Sequence, residues 1–290
     1  MSEGSRAGDQ ARHLRARLER RAEPSHGPCR TVAITSGKGG VGKSSLAANL
    51  ALVLARQGHR VLLLDGDLGL ANLSILLNLA PRQDLEDVVR GRCRLEDVIL
   101  SGPRGVLLIP AASGAPSLAD MDAQARRSLA EELGRVGEGA DFLLIDTGAG
   151  ISSVVTTLVG MAERALVVTT HEPTAFADAY GVIKVIRHRS PSVKLELVVN
   201  MAANLTQGRE THQRLTRLTE RFLAYPIPLA AVIPWDDCVG KAVVLQQPLT
   251  EIFPYSPATQ ALVALAKTLR LSPETSNGKA APRPLAVPIP

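Results

Sequence analysis

Aromatic side chains are scarce in this 290-residue chain: Phe, Tyr and Trp make up 3% of it, while hydrophobic residues together make up 45%. A core assembled with so few aromatics must rest on Leu, Val, Ile and Ala, as in strands buried on both faces of a parallel sheet. No apolar run approaches the roughly 18 residues of a membrane-spanning helix, and the polar N-terminus does not read as a signal peptide. Cysteine is nearly absent. Cys29, Cys93 and Cys238 are odd in number and far apart, which excludes a disulfide framework or a cysteine-built metal cluster and suits a reducing cytosol.

Strong charge of one sign is also missing. The net charge is +5. Six arginines against four acids in residues 1–29, and Lys279 and Arg283 against Glu274 in residues 272–290, put +3 of that total at the two ends. The basicity therefore reads as solvated arms before it reads as a nucleic-acid surface. Composition divides the chain into three zones. Residues 1–29 form a flexible, Arg-rich arm, residues 30–271 a single domain, and residues 272–290 a Pro/Ala-rich tail expected to be disordered.

Within the middle zone, seven apolar runs read as buried strands: 31–36, 60–65, 105–111, 141–146, 165–170, 195–200 and 229–234. Helical stretches such as Ser44–Gln57, Ala123–Val136 and Pro257–Leu271 separate or follow them. The alternation predicts an α/β fold, a mostly parallel twisted sheet of about seven to eight strands with helices on both faces. Ligands of such sheets sit beyond the carboxyl ends of the strands. The motifs fall there.

Gly37-Lys38-Gly39-Gly40-Val41-Gly42-Lys43-Ser44 satisfies G-x-x-x-x-G-K-[ST], with a β-rich run before it and an Ala/Leu helix after it. The glycines let successive N–H groups turn inward onto phosphate oxygens, and the helix start near Lys43 adds a positive dipole end. Lys43 is expected on the β- and γ-phosphates, the Ser44 hydroxyl on Mg²⁺, and Ser45 beside them. Two acids close the second strand, Asp65 and Asp67. Another, Asp146, ends Phe142-Leu143-Leu144-Ile145-Asp146, where a carboxylate would stand beside the metal and its waters.

The second lysine of the loop, Lys38, resembles the signature lysine of the deviant Walker A ATPases, the MinD/ParA family of P-loop NTPases. The resemblance covers about residues 30–270. It implies ATP and Mg²⁺ as cofactors, ATP hydrolysis, and a homodimer in which Lys38 reaches the partner's nucleotide. It makes Lys38, Lys43 and Asp67 the catalytic candidates, with Asp67 orienting the attacking water and Asp65 arranging the Mg²⁺ shell with Ser44 and Asp146. Thr147-Gly148-Ala149-Gly150-Ile151 would sense the γ-phosphate. Asn200 matches the asparagine used against adenine, and Pro234-Trp235-Asp236 the wall opposite; Asn200 also suits a plain strand-end turn.

Asp67-Leu68-Gly69-Leu70-Ala71-Asn72-Leu73, Asp146 to Ser152, and Glu172-Pro173-Thr174-Ala175 look like the FlhG (FleN) branch, MinD-like regulators of flagellar number and placement. Asp9-Gln10-Ala11-Arg12-His13-Leu14-Arg15 fits the D-Q-A-x-x-L-R element with which that branch activates the SRP-type GTPase FlhF, making Asp9, Gln10, Leu14 and Arg15 partner-activating candidates. Ala7, Ala11, Leu14 and Leu18 recur at helical spacing, as a short partner-binding helix requires. The branch implies further partners, the flagellar switch complex or transcriptional regulators, and a cytoplasmic protein recruited to the pole or inner membrane surface. Its basic amphipathic C-terminal helix is missing here: Pro282, Pro284, Pro288 and Pro290 cannot form one, so direct membrane anchoring is not expected. Rival readings are a ParA-type partition ATPase binding DNA non-specifically, an iron–sulfur carrier (which would need the absent C-x-x-C), and a silent ATP-binding module.

Overall fold

The computed structural model describes residues 29–67, 72–111 and 123–271. Asp9, Gln10, Leu14 and Arg15, the rest of the N-terminal arm, residues 68–71 after Asp67 and the tail from 272 lie outside the described residues.

Eight strands form one sheet: β1 (Arg30–Ser36), β2 (Val61–Gly66), β3 (Leu100–Ser101), β4 (Leu107–Ile109), β5 (Phe142–Ala149), β6 (Arg164–Thr169), β7 (Lys194–Ala202) and β8 (Leu229–Pro234). Their order is β3-β4-β2-β5-β1-β6-β7-β8. All pairings are parallel except β3 with β4. The chain winds outward from β1 in both directions, so the strand order reverses beside it and opens a crevice at its carboxyl end.

Side chains alternate along each strand to feed two apolar layers. Val32, Ile34, Leu63, Leu144, Leu166 and Val168 pack under α1 (Lys43–Arg56) and the last helix, Pro257–Leu271. Ala33, Leu62, Leu64, Leu143, Ile145 and Val167 face the opposite layer.

The helices between these two follow in chain order: α2 (Leu73–Leu76), α3 (Leu85–Val89), α4 (Leu95–Val98), α5 (Ala123–Gly137), α6 (Ser153–Gly160), α7 (Pro173–Arg189), α8 (Leu205–Leu223), α9 (Asp237–Val244) and α10 (Leu249–Ile252), so that Pro257–Leu271 is α11. Among them, α3 to α8 build the second layer.

The expected strand at 105–111 is shorter than read, β4 alone, and is preceded by a 3₁₀ turn at Pro103–Gly105 and the antiparallel β3. Two other strands run further than expected. β5 continues past Asp146 to Ala149, and β7 past Asn200 to Ala202 through an irregular register between Val199 and Ala202. The short α3 and α4 repeat one phrase, Leu85-Glu86-Asp87-Val88 and Leu95-Glu96-Asp97-Val98, each burying its leucine.

Candidate functional site

The phosphate loop leaves β1 at Ser36 and enters α1 at Lys43. Gly42 caps α1 in a left-handed conformation, φ 88°, with no side-chain cap and no acid in the first turn. The first N–H groups of α1 thus have no side-chain acceptor, and their positive end favours an anion. The motif's two outer glycines are demanded by different neighbours. A Cβ on Gly37 would overlap the backbone of Asp178 in α7, and one on Gly42 the amide of Asn200. Asn200 donates from Nδ2 to the Val41 carbonyl at 2.8 Å. Lys43 is 6% exposed, and Ser44 and Ser45 are half-buried on the first turn.

The acids stand across the crevice. Asp65 and Asp146 are direct neighbours in the β2–β5 register, and both are buried. The two oxygens of Asp65 accept from the N–H groups of Asp67 and Leu73, each at 3.2 Å, so this carboxyl ties together the two ends of the loop between them. Burial, reinforced by the charge of Asp146, lifts its pKa to about 8. Asp146 rises to about 7, again through burial, although the Ser44 hydroxyl and the Lys43 ammonium pull it down. Neither satisfies it, since both Asp146 oxygens are buried without a hydrogen-bond partner. The Asp67 carboxylate lies near Gly148, a position from which a hypothetical Cβ would be 3.6 Å away.

Orphaned carboxylate oxygens beside a serine hydroxyl and a buried lysine fit a hydrated Mg²⁺ held largely by phosphate oxygens. Among the described residues no three His, Cys, Asp or Glu side chains converge as a metal cage of their own. A cation here would therefore come with its nucleotide.

Beyond Asp146, the backbone of β5 stays attached to the loop: Gly150 donates to the Ser36 carbonyl at 2.8 Å, and the Ser36 hydroxyl to the Lys38 carbonyl at 2.7 Å. Lys38 itself folds back within the chain. Its ammonium donates to Glu172 at 2.8 Å and to Thr174 at 3.0 Å, at the start of α7. Nothing local in the sequence links Lys38 to Glu172-Pro173-Thr174; the signal for the contact is a helix start following β6, which the topology puts beside β1.

At the ends of β7 and β8, Pro234 pairs beside Ala202. The Asp236 carboxylate is occupied as a double cap, accepting from Cys238 at 2.9 Å and from Ala258 at 3.0 Å. Burial, the largest single influence, would raise its pKa, but those two N–H groups together with hydrogen bonds from the Ser256 and Cys238 side chains hold it below the usual range. Trp235 is 64% exposed, with its indole N–H on Asp237 at 3.1 Å.

A profile of the CobQ/CobB/MinD/ParA nucleotide-binding domain matches residues 32–249. The antiactivator FleN of Pseudomonas aeruginosa is 41% identical over 86% of this chain and 89% of its own length. The flagellum site-determining protein YlxH of Helicobacter pylori is 35% identical over 68% and 67% respectively. Among solved structures, the septum site-determining protein MinD of Pyrococcus horikoshii, complexed with Mg-ADP, superposes with a TM-score of 0.71 at 29% identity, over 83% of this chain and 96% of that one. The chain belongs to the MinD/ParA family of nucleotide-binding proteins, in its FleN-like branch.

Proposed function

We propose that this protein is a cytoplasmic, Mg²⁺-dependent ATPase whose ATP-bound form is a homodimer, and that it regulates the number and placement of flagella. The observation that carries the switch is the pair of lysines. Lys43 is buried at the helix start and serves the nucleotide of its own chain, whereas Lys38 stands at the surface on an exposed, reversible ion pair with Glu172. A triphosphate supplies charge that a second copy's Lys38 can neutralise once it leaves Glu172, so association follows nucleotide state. When bound, Mg²⁺ would neutralise developing phosphate charge. Ser44 and Asp146 would hold it, Asp65 would help arrange its shell from the end of β2, and Asp67 would orient the attacking water.

The flagellar assignment is supported by the likeness to FleN and YlxH. Activation of the SRP-type GTPase FlhF is assigned to the arm through Asp9, Gln10, Leu14 and Arg15, with the switch complex and transcriptional regulators as further partners. Size analysis with and without Mg-ATP in a hydrolysis-blocked variant tests the core of this reading; a monomer at saturating nucleotide refutes it. One feature favours the ParA-type alternative. Arg209, Arg214, Arg217 and Arg221 line α8, and none forms an ion pair among the described residues. ATP-dependent, salt-sensitive retention on DNA would select that reading.

A further inference from the structure

Resting on the reading of the crevice as a nucleotide site, we propose that Asn200 is a positioning residue that braces the phosphate loop from the base end. β7 does not stop at Asn200, and the next residue, Met201, is turned to a φ of 54°, a conformation a side-chain-bearing residue adopts only under constraint. This turn accompanies the irregular register at the end of the strand, where Asn200 meets the loop. The Val41 carbonyl can only accept, so the amide has one orientation there: Nδ2 toward the loop at 2.8 Å, Oδ1 away from it and left to accept from a base.

The contact holds more than one atom. A trans peptide is planar, with its C=O and N–H antiparallel. Fixing the Val41 carbonyl therefore fixes the Gly42 N–H, one residue before Lys43 and the uncapped start of α1. Gly42 has a φ of 88° and a place where any Cβ would overlap the Asn200 amide. The glycine and the asparagine are complementary halves of one joint, closing 159 residues of chain. A loop held this way presents its N–H groups before phosphate arrives, the preorganisation that phosphoryl transfer depends on. A residue that only touched the base would contribute equally to ground state and transition state, and its loss would raise KM alone.

The test is steady-state ATP hydrolysis by the full chain, together with inhibition by Mg-tripolyphosphate, which has no base. Asn200→Ala is expected to lower kcat at saturating Mg-ATP about tenfold, and to weaken tripolyphosphate inhibition by a similar factor, the scale of one hydrogen bond with a buried partner left unmade. A raised KM for ATP with kcat and tripolyphosphate inhibition unchanged would overturn the brace, as would parent-like behaviour throughout. Asn200→Asp guards against a variant that merely folds poorly. It keeps the shape and an acceptor for the base but cannot donate to Val41, so it should reproduce the loss of kcat, and still do so at high salt where added charge is screened. Parent-like turnover by Asn200→Asp refutes the proposal. A parent chain that neither binds nor hydrolyses Mg-ATP would refute the nucleotide reading itself, a distinct result from turnover indifferent to position 200.

Discussion

At the scale of single residues, the site's charges decide what can be measured. Asp65 is committed to the backbone, its oxygens accepting from two N–H groups, whereas Asp67, proposed to orient the attacking water, stands beside Gly148. Asp67→Ala should therefore bind Mg-ATP like the parent and hydrolyse it at least about 100-fold more slowly, the scale of a lost water-orienting carboxylate; turnover at the parent rate would remove Asp67 from the mechanism. Asp65 makes a prediction about pH. It binds its proton more tightly in the folded chain, with a pKa of about 8, than an unfolded aspartate near 3.9 does. Its contribution to stability is complete below about pH 4 and is lost as pH rises toward 8, because over that window the folded state keeps a proton that the unfolded state has released. Melting temperatures without nucleotide should accordingly fall between pH 5 and pH 8, and Asp65→Asn should flatten part of that decline. A rise over the same interval, unchanged by the substitution, would contradict the assignment.

At the scale of elements, the parts of the site fixed by neighbouring backbone could be read in the sequence, and the parts fixed by distant side chains could not. The loop glycines, Lys43 and Ser44 form one contiguous phrase because a single turn and helix start build them. The boundaries of α11 were readable for the same reason, with Pro257 opening it. By contrast, Lys38 meets Glu172 across 134 residues, and Asp236 reaches Ala258 only because α11 folds back over β8. The two-residue β3 is too short to carry a period, and α2 to α4 are single turns with too few positions for one.

Another such long-range link anchors α1. Asn49, 4% exposed, accepts from the N–H of Thr250 at 3.0 Å and from its hydroxyl at 3.2 Å, while its own Nδ2 donates to Ser45 at 2.8 Å. This pins the second turn of the phosphate-loop helix to α10. Asn49→Ala would leave the Thr250 N–H buried and unpaired, destabilising the fold by about 1–3 kcal/mol. Thermal denaturation should show this as a drop of several degrees, at roughly 2–4 °C per kcal/mol for a domain of this size. An unchanged melting temperature would mean that α10 is dispensable to α1.

At the scale of the whole molecule, the two ends of the domain lie together. Arg30, opening β1, donates to the carbonyls of Leu269 at 3.2 Å and Arg270 at 2.8 Å, closing α11. Both positions belong to the amino ends of the strands, opposite the crevice where Lys38, Lys43 and Asp146 gather. Arg30, where the described domain begins, is therefore at the pole away from the crevice, and the dimer surface proposed through Lys38 would be at the other pole. Under the proposed function a second copy and the arm's partner would be engaged separately, so the two functions should separate in variants. Lys38→Ala should retain Mg-ATP, through the intact Lys43 and α1, yet sediment as a monomer with a non-hydrolysable analogue. Deleting residues 1–22 should do the reverse, abolishing stimulation of the SRP-type GTPase while leaving ATP-dependent dimerisation and ATP hydrolysis at parental levels. If the deletion also blocks dimerisation, the arm must act at the crevice, and the separation of poles would not describe how this protein works.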